Sequence, residues 1–285
     1  MTETHTPTRT ARRLVWTGVG MPASDGAGVK LKRVIGQPAL PDLDPFLMLD
    51  EFGSDDPAAY IAGFPSHPHR GFETVTYMLA GRMRHKDNAG NEGLLGPGSV
   101  QWMTAGRGIV HSEMPEQESG LMQGFQLWVN LPAKDKLCPP RYQDIAATSV
   151  PEARLDGGAT AKVLAGDIAG VRGPVDPGAT QPIFLDLRLP AGAATTVPLP
   201  EGHNAFVYVF EGAAEVGDGA ERLTAGHIGV LSVGAEVRLA SASGGRLILV
   251  AGKPLREPVA KHGPFVMNSR AELVQAFEDY QAGRF

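Results

Sequence analysis

Short apolar runs, many alternating with polar residues, recur along the chain at intervals of about ten residues and are separated by Gly, Pro and Asp. FETVTYML, SVQWMT, FQLWVNL, IFLDLRL, AFVYVF and RLILV are examples. No amphipathic helical stretch of adequate length lies between them, so the pattern predicts an all-β barrel or sandwich and not a parallel sheet built from βαβ units. One helix is predicted, at 269–282. There Ser269 and Glu272 form a capping box, and Leu273, Phe277 and Tyr280 follow at spacings of four and three, giving an apolar stripe that should dock on a barrel.

The texture changes over 132–153, where PAKDKLCPPRYQDIAATSVPEA contains four prolines and no sustained alternation. This places one domain at 1–135 with a polar arm at 1–12, a Pro-rich linker at 136–155, and a second domain at 156–285 that ends in the helix. A weak echo links the halves. Tyr77-Met-Leu-Ala-Gly81 resembles Tyr208-Val-Phe-Glu-Gly212, and each is followed by a glycine-led strand, Gly98-SVQWM and Gly226-HIGVL, as two copies of one barrel design would produce.

Composition narrows the function classes. The 285 residues suffice for two domains, and the 36 glycines and 23 prolines are scattered between strands in the manner of turns, not pooled as in a disordered segment. No run approaches the ~18 apolar residues of a membrane helix, and a net charge of −5 argues against direct nucleic-acid binding. The short basic clusters, Arg9 to Arg13 and Lys30 to Arg33, read as solvated surface. The N-terminus lacks the apolar core of a secretory signal, so a cytoplasmic protein is expected, and a monomer. The lone Cys138, in LCPPRY, excludes an intramolecular disulfide and a thiolate-rich metal site, and it does not read as a nucleophile.

The chemistry concentrates in two phrases, HPHRGFETVTYMLAG and TAGRGIVHSEMP. Residues i and i+2 of a strand share a face, so His67 with His69, and His111 with Glu113, each project together. Pro68 suits a strand start or an edge. Two such pairs on neighbouring strands supply three imidazoles and one carboxylate to one point, a donor set for Fe(II), Mn(II), Ni(II), Cu(II) or Zn(II). Four donors on a six-coordinate ion leave positions for exogenous ligands, which favours reactivity over a purely structural ion. If the strand continues unbroken, Glu73 shares the histidine face together with Val75 and Tyr77, either as a direct ligand or as a group holding an imidazole by its far N–H. Val75, Met103 and Phe125 are candidate apolar wall residues of the cavity, with Met103 and Phe125 reading more readily as plain core.

HPHRGFETVTYMLAGRMRHKD with QWMTAGRGIVHSEMP resembles the signature of the pirins, two-barrel members of the cupin superfamily, and the likeness continues through GFQLWVNLPAKDK, PRYQD and EPVAKHGPFVMNS. The resemblance implies two tandem cupin-type (jelly-roll) barrels with a short C-terminal helix. It implies iron held by His67, His69, His111 and Glu113, with Glu73 outside the ligand set. It implies a flavonol (quercetin) 2,3-dioxygenase with Glu113 as the proton acceptor and a small aromatic substrate; the alternative is a redox-sensitive iron protein that regulates a transcription regulator or metabolic enzyme by binding it. The second barrel lacks the donors. Pro198 and Pro200 stand opposite His67 and His69, Leu239 and Ser241 opposite His111 and Glu113, and His203 and His227 are isolated.

Overall fold

The structure is a computed structural model that describes residues 10–176 and 178–285. Residues 1–9, most of the expected polar arm and Arg9 with it, lie outside the described residues. Strands β1 (Leu14–Val19), β2 (Met21–Asp25), β3 (Val29–Ile35), β4 (Phe46–Ser54), β5 (Phe64–His69) and β6 (Phe72–Ala80) are followed by β7 (Met83–Asp87), β8 (Glu92–Leu95), β9 (Val100–Thr104), β10 (Ile109–Pro115), β11 (Met122–Asn130) and β12 (Arg141–Ile145). Strands then continue to residue 267, ahead of helix α1 (Arg270–Gln281). The protein is all-β with two cupin-type barrels and one C-terminal helix, as the alternation of apolar and polar residues requires.

The chain forms two compact units, and neither is one continuous segment. One unit comprises Gly20–Pro151, Pro174–Gln181 and Pro254–Phe285. Its seven-stranded sheet runs β12-β9-β6-β11-β4-β3-β2, and its four-stranded sheet runs β5-β10-β7-β8. The expected linker thus contains a strand, since β12 pairs antiparallel with β9 from Arg141↔Thr104 to Ile145↔Val100. The second correction concerns the helix, expected with the second barrel. α1 packs on the hairpin Ala260–His262/Phe265–Met267 of this first unit, where Leu273 and Ala276 are buried and Phe277 meets Phe265 at 4.7 Å between ring centroids. Tyr280, the last member of the expected stripe, is 39 % exposed. The helix start itself is as read: Ser269 accepts from the Glu272 N–H, and Glu272 accepts from the Asn268 N–H at 3.0 Å.

Local contacts explain why the C-terminal segment ends there. Lys136 is buried, and its ammonium donates to the carbonyls of Gly71 (2.8 Å) and Val266 (3.0 Å) and to Asn130 Oδ1 (2.7 Å). The Val266 N–H donates to the Arg70 carbonyl at 3.0 Å. Gly71 sits at φ +86°, and a Cβ there would lie 2.0 Å from the Val266 carbonyl oxygen, so the approach of hairpin to turn demands glycine.

The other unit comprises the described residues up to Val19, Glu152–Gly173 and Pro182–Lys253. β1 therefore belongs with the later half of the chain, pairing with His227–Leu231. Arg12 is fully buried there, with its guanidinium donating to the carbonyls of Gly234 (2.8 Å), His203 (3.0 Å), Ser232 (3.1 Å) and Pro200 (2.7 Å). The solvated reading of this arginine is thus corrected: four carbonyl oxygens replace its water. The sequence echo is a true structural equivalence. Tyr77 pairs with Val100, two residues past Gly98, and Tyr208 pairs with Ile228, two residues past Gly226. The interior of this second barrel is packed with Val197, Leu199, Leu239 and other apolar side chains, and no cluster of metal-ligating residues occurs in it among the described residues.

Candidate metal centre

β5 and β10 run antiparallel, with His67 opposite His111 and His69 opposite Ile109. Each i, i+2 pair projects into the first barrel, and the two strands bring three imidazoles together. One ligand atom from each of His67, His69 and His111 lies within 4.8 Å of the others. A register shift between His111 and Glu113 moves the glutamate opposite Phe64. Glu113 is buried beside His67 but is not part of that tight trio; its Oε1 lies 3.2 Å from the Thr76 hydroxyl.

The nitrogen geometry suits a cation. His67 Nδ1 lies 2.8 Å from the Pro65 carbonyl, which commits its proton there and leaves Nε2 with a lone pair. That Nε2 is 3.0 Å from His69 Nε2. Two cis nitrogen donors, each about 2.1 Å from an ion, lie about 3 Å apart. Neither ring nitrogen of His111 has a partner, although the side chain is buried. Buried polar atoms without partners are rare in native structures and point to a missing ligand.

Electrostatics keep His69 and His111 in their ligating form. Burial, reinforced by neighbouring His67, pushes His69 down to about 3. Burial and the other histidines also drive His111 well below the usual imidazole range. Both are therefore neutral at physiological pH. Burial raises the Glu113 carboxyl against the opposing pull of His67 and Thr76. Its one neutral donor, Thr76, divides a single hydroxyl hydrogen between Glu113 and Gln126 Oε1, the latter 2.6 Å away.

His67, His69 and Glu113 line a cavity of about 750 Å³. Phe52, Met48 and Trp128 supply apolar wall, and Gln126 and Asp50 supply polar atoms. His69 is boxed by Phe72 (5.1 Å) and Trp128 (5.2 Å) between ring centroids. Pro264 and Val266 of the C-terminal hairpin close one side.

Three expectations fail at one turn. The strand does not run unbroken from His67 to Tyr77: it stops at His69, and Gly71 at φ +86° begins a new strand in a different sheet. Parity is lost there. Thr74 and Thr76, opposite Trp128 and Gln126, take the cavity face, and Glu73 takes the other. Glu73 accepts from Thr104 Oγ1 at 2.6 Å and is also held by the Trp102 side chain, so it orients no imidazole. Val75 and Phe125, on the face of Glu73, do not line the cavity. Met103 and Phe125 are fully buried core residues, the reading the sequence favoured for them, Met103 packing with Ala105 and Ile109. Thr76, Gln126 and the hairpin were missed; alternation in FQLWVN pairs Gln126 with Trp128 on one face, the signal that could have found them. Burial raises the thiol pKa of Cys138, the one cysteine of the sequence. His227 bonds Thr224, and His203 is a buried side chain without metal-ligating neighbours among the described residues. No described helix is long and apolar enough to cross a membrane.

Comparison with known proteins agrees with this architecture. The family model described as Pirin matches residues 28–129, and the Pirin C-terminal cupin domain matches residues 184–285. A Pseudomonas aeruginosa protein named "Putative quercetin 2,3-dioxygenase" is 54 % identical over 93 % of this chain and 94 % of its own length. A pirin-like protein of Caulobacter vibrioides is 52 % identical over 93 % of this chain and 96 % of its own. The crystal structure of a quercetin 2,3-dioxygenase from Acinetobacter baumannii superposes with a TM-score of 0.89 at 36 % identity, covering 96 % of this chain and 98 % of that one. With the two matched domains spanning both barrels, this chain belongs to the pirin family.

Proposed function

We propose that the protein is a mononuclear iron(II)-dependent flavonol 2,3-dioxygenase acting on quercetin or a close relative, with His67, His69, His111 and Glu113 as the metal ligands. The observation that carries this reading is the convergence of three imidazoles beside a buried carboxylate on an aromatic-walled cavity of about 750 Å³, a size that accepts a flavonoid. The names of the Pseudomonas and Acinetobacter relatives support the same substrate class. Bound iron would supply Lewis acidity toward the substrate 3-hydroxyl and an electron-transfer route to dioxygen.

The chain's own groups then have separate tasks. Glu113 accepts the 3-hydroxyl proton. Its raised pKa brings the carboxylate nearer the basicity that proton transfer at neutral pH requires. Thr76, donating to Glu113 Oε1, holds that oxygen in one place, and Gln126 holds Thr76. Trp128 and Phe52 offer flat apolar surface to the rings and exclude water from the reacting face. Across the reaction both dioxygen atoms enter the product and one ring carbon leaves as carbon monoxide.

The test is the loss of flavonol absorbance by iron-loaded protein with quercetin in air and under anaerobic conditions, with carbon monoxide measured in the headspace. Oxygen-dependent bleaching with stoichiometric carbon monoxide is expected, and it should vanish in E113A. Iron-loaded protein that leaves quercetin unchanged in air would sink the proposal.

A further inference from the structure

Arg70 directly follows His69, is nearly fully buried and lines no part of the cavity. Its Nη1 donates to Asp279 Oδ2 of α1 at 2.7 Å, and its Nε donates to the Arg107 carbonyl. The guanidinium carbon lies 4.2 Å over the centroid of the Phe285 ring. Arg107 belongs to the glycine-rich turn between β9 and β10 that delivers His111. In the same place the Gly71 N–H donates to the Gly106 carbonyl at 2.8 Å. One planar, five-donor side chain thus grips the end of the strand bearing His67 and His69, the turn leading to His111, and the C-terminal helix.

We infer that Arg70, clamped by Asp279 and Phe285, is a positioning residue that sets the spacing of His69 and His111 before an ion arrives. The inference rests on the metal reading of this site. Imidazoles that are free to drift must be ordered at the moment of binding, and that ordering subtracts from affinity; a preformed trio avoids it. A buried guanidinium that adjoins His69 and donates through Nε to the Arg107 carbonyl and through Nη1 to Asp279 fixes the two strand ends relative to each other, whereas a lysine has no planar fork with which to grip Arg107 and Asp279 at once.

The experiment measures Co(II) affinity by competition with a chromophoric chelator, together with the cobalt d–d spectrum, which reports ligand geometry. R70K and D279N are compared with wild type and with R246K. Arg246 pairs with Asp186 at 2.8 Å and stacks on Phe210 in the other unit, so R246K matches the chemistry of the lesion without touching the site. R70K and D279N should keep the wild-type far-ultraviolet circular dichroism, bind Co(II) about tenfold or more weakly, and show an altered d–d band, the range expected when groups supporting metal ligands are lost. R246K should bind as wild type does. D279N keeps Arg70 and removes the charge of its partner, a charge that also serves Arg284 on the helix side, so it answers if R70K does not fold. Binding within about twofold of wild type with an unchanged spectrum in the folded variants overturns the positioning role, as does an equal loss in R246K. Wild-type protein that takes up no Co(II) sinks the metal reading itself, and this inference with it.

Discussion

Replacing Thr76 with Val removes one hydroxyl and little volume, and it tests the assignment of Glu113 as base. In the folded protein Thr76 Oγ1 lies 3.2 Å from Glu113 Oε1 and 2.6 Å from Gln126 Oε1. The hydroxyl donates to the carboxylate and so favours its charged form, opposing the burial that raises its pKa. A hydrogen bond to a charged group contributes about 1.5–3 kcal/mol. The 3.2 Å separation and the shared hydrogen put this one at the low end, about 1.5 kcal/mol, which is about one pKa unit. Removing it raises the Glu113 pKa further. The base form is then lost at a higher pH as the solution is acidified, so the acid limb of kcat/KM for quercetin should move up by about one pH unit in T76V. Iron content should be unchanged. The assay is the kcat/KM profile over the acidic range for wild type and T76V at matched iron occupancy. An acid limb that stays put or moves down would refute the reasoning, because either Thr76 does not donate to Glu113 or Glu113 is not the base.

Other outcomes follow from the packing. Lys136→Met should destabilise the protein by about 3 kcal/mol in urea unfolding at neutral pH: it strands the buried oxygens of Gly71, Asn130 and Val266 at about 1–3 kcal/mol each, offset in part by removing a charge that burial already disfavours. Equal stability would mean that those oxygens find other donors. Leu187→Ala, at a fully buried position in the second barrel, should lower stability by about 2–5 kcal/mol while leaving Co(II) affinity at the wild-type value, because that barrel contributes no ligand to the trio. A parallel loss of cobalt binding in the folded variant would contradict the division of labour between the barrels.

The sequence by itself determined what short-range geometry controls. The period of two in a strand puts His67 beside His69, the capping box starts α1 at Ser269, and alternating apolar runs give an all-β fold. The equivalence of Tyr77 and Tyr208 was legible for the same reason, since both lie in repeated strand-turn-strand phrases. Tertiary structure decided everything that depends on which strand neighbours which. A single left-handed glycine, Gly71, resets the parity and sends Glu73 away from the histidines, and no local pattern announces that the chain changes sheets there. The burial of Arg12 among four carbonyls, the return of residues 254–285 to the first unit, and the grip of Arg70 on Arg107 and Asp279 are contacts between segments far apart in sequence. Their energies come from desolvated hydrogen bonds whose partners exist only once the chain has folded.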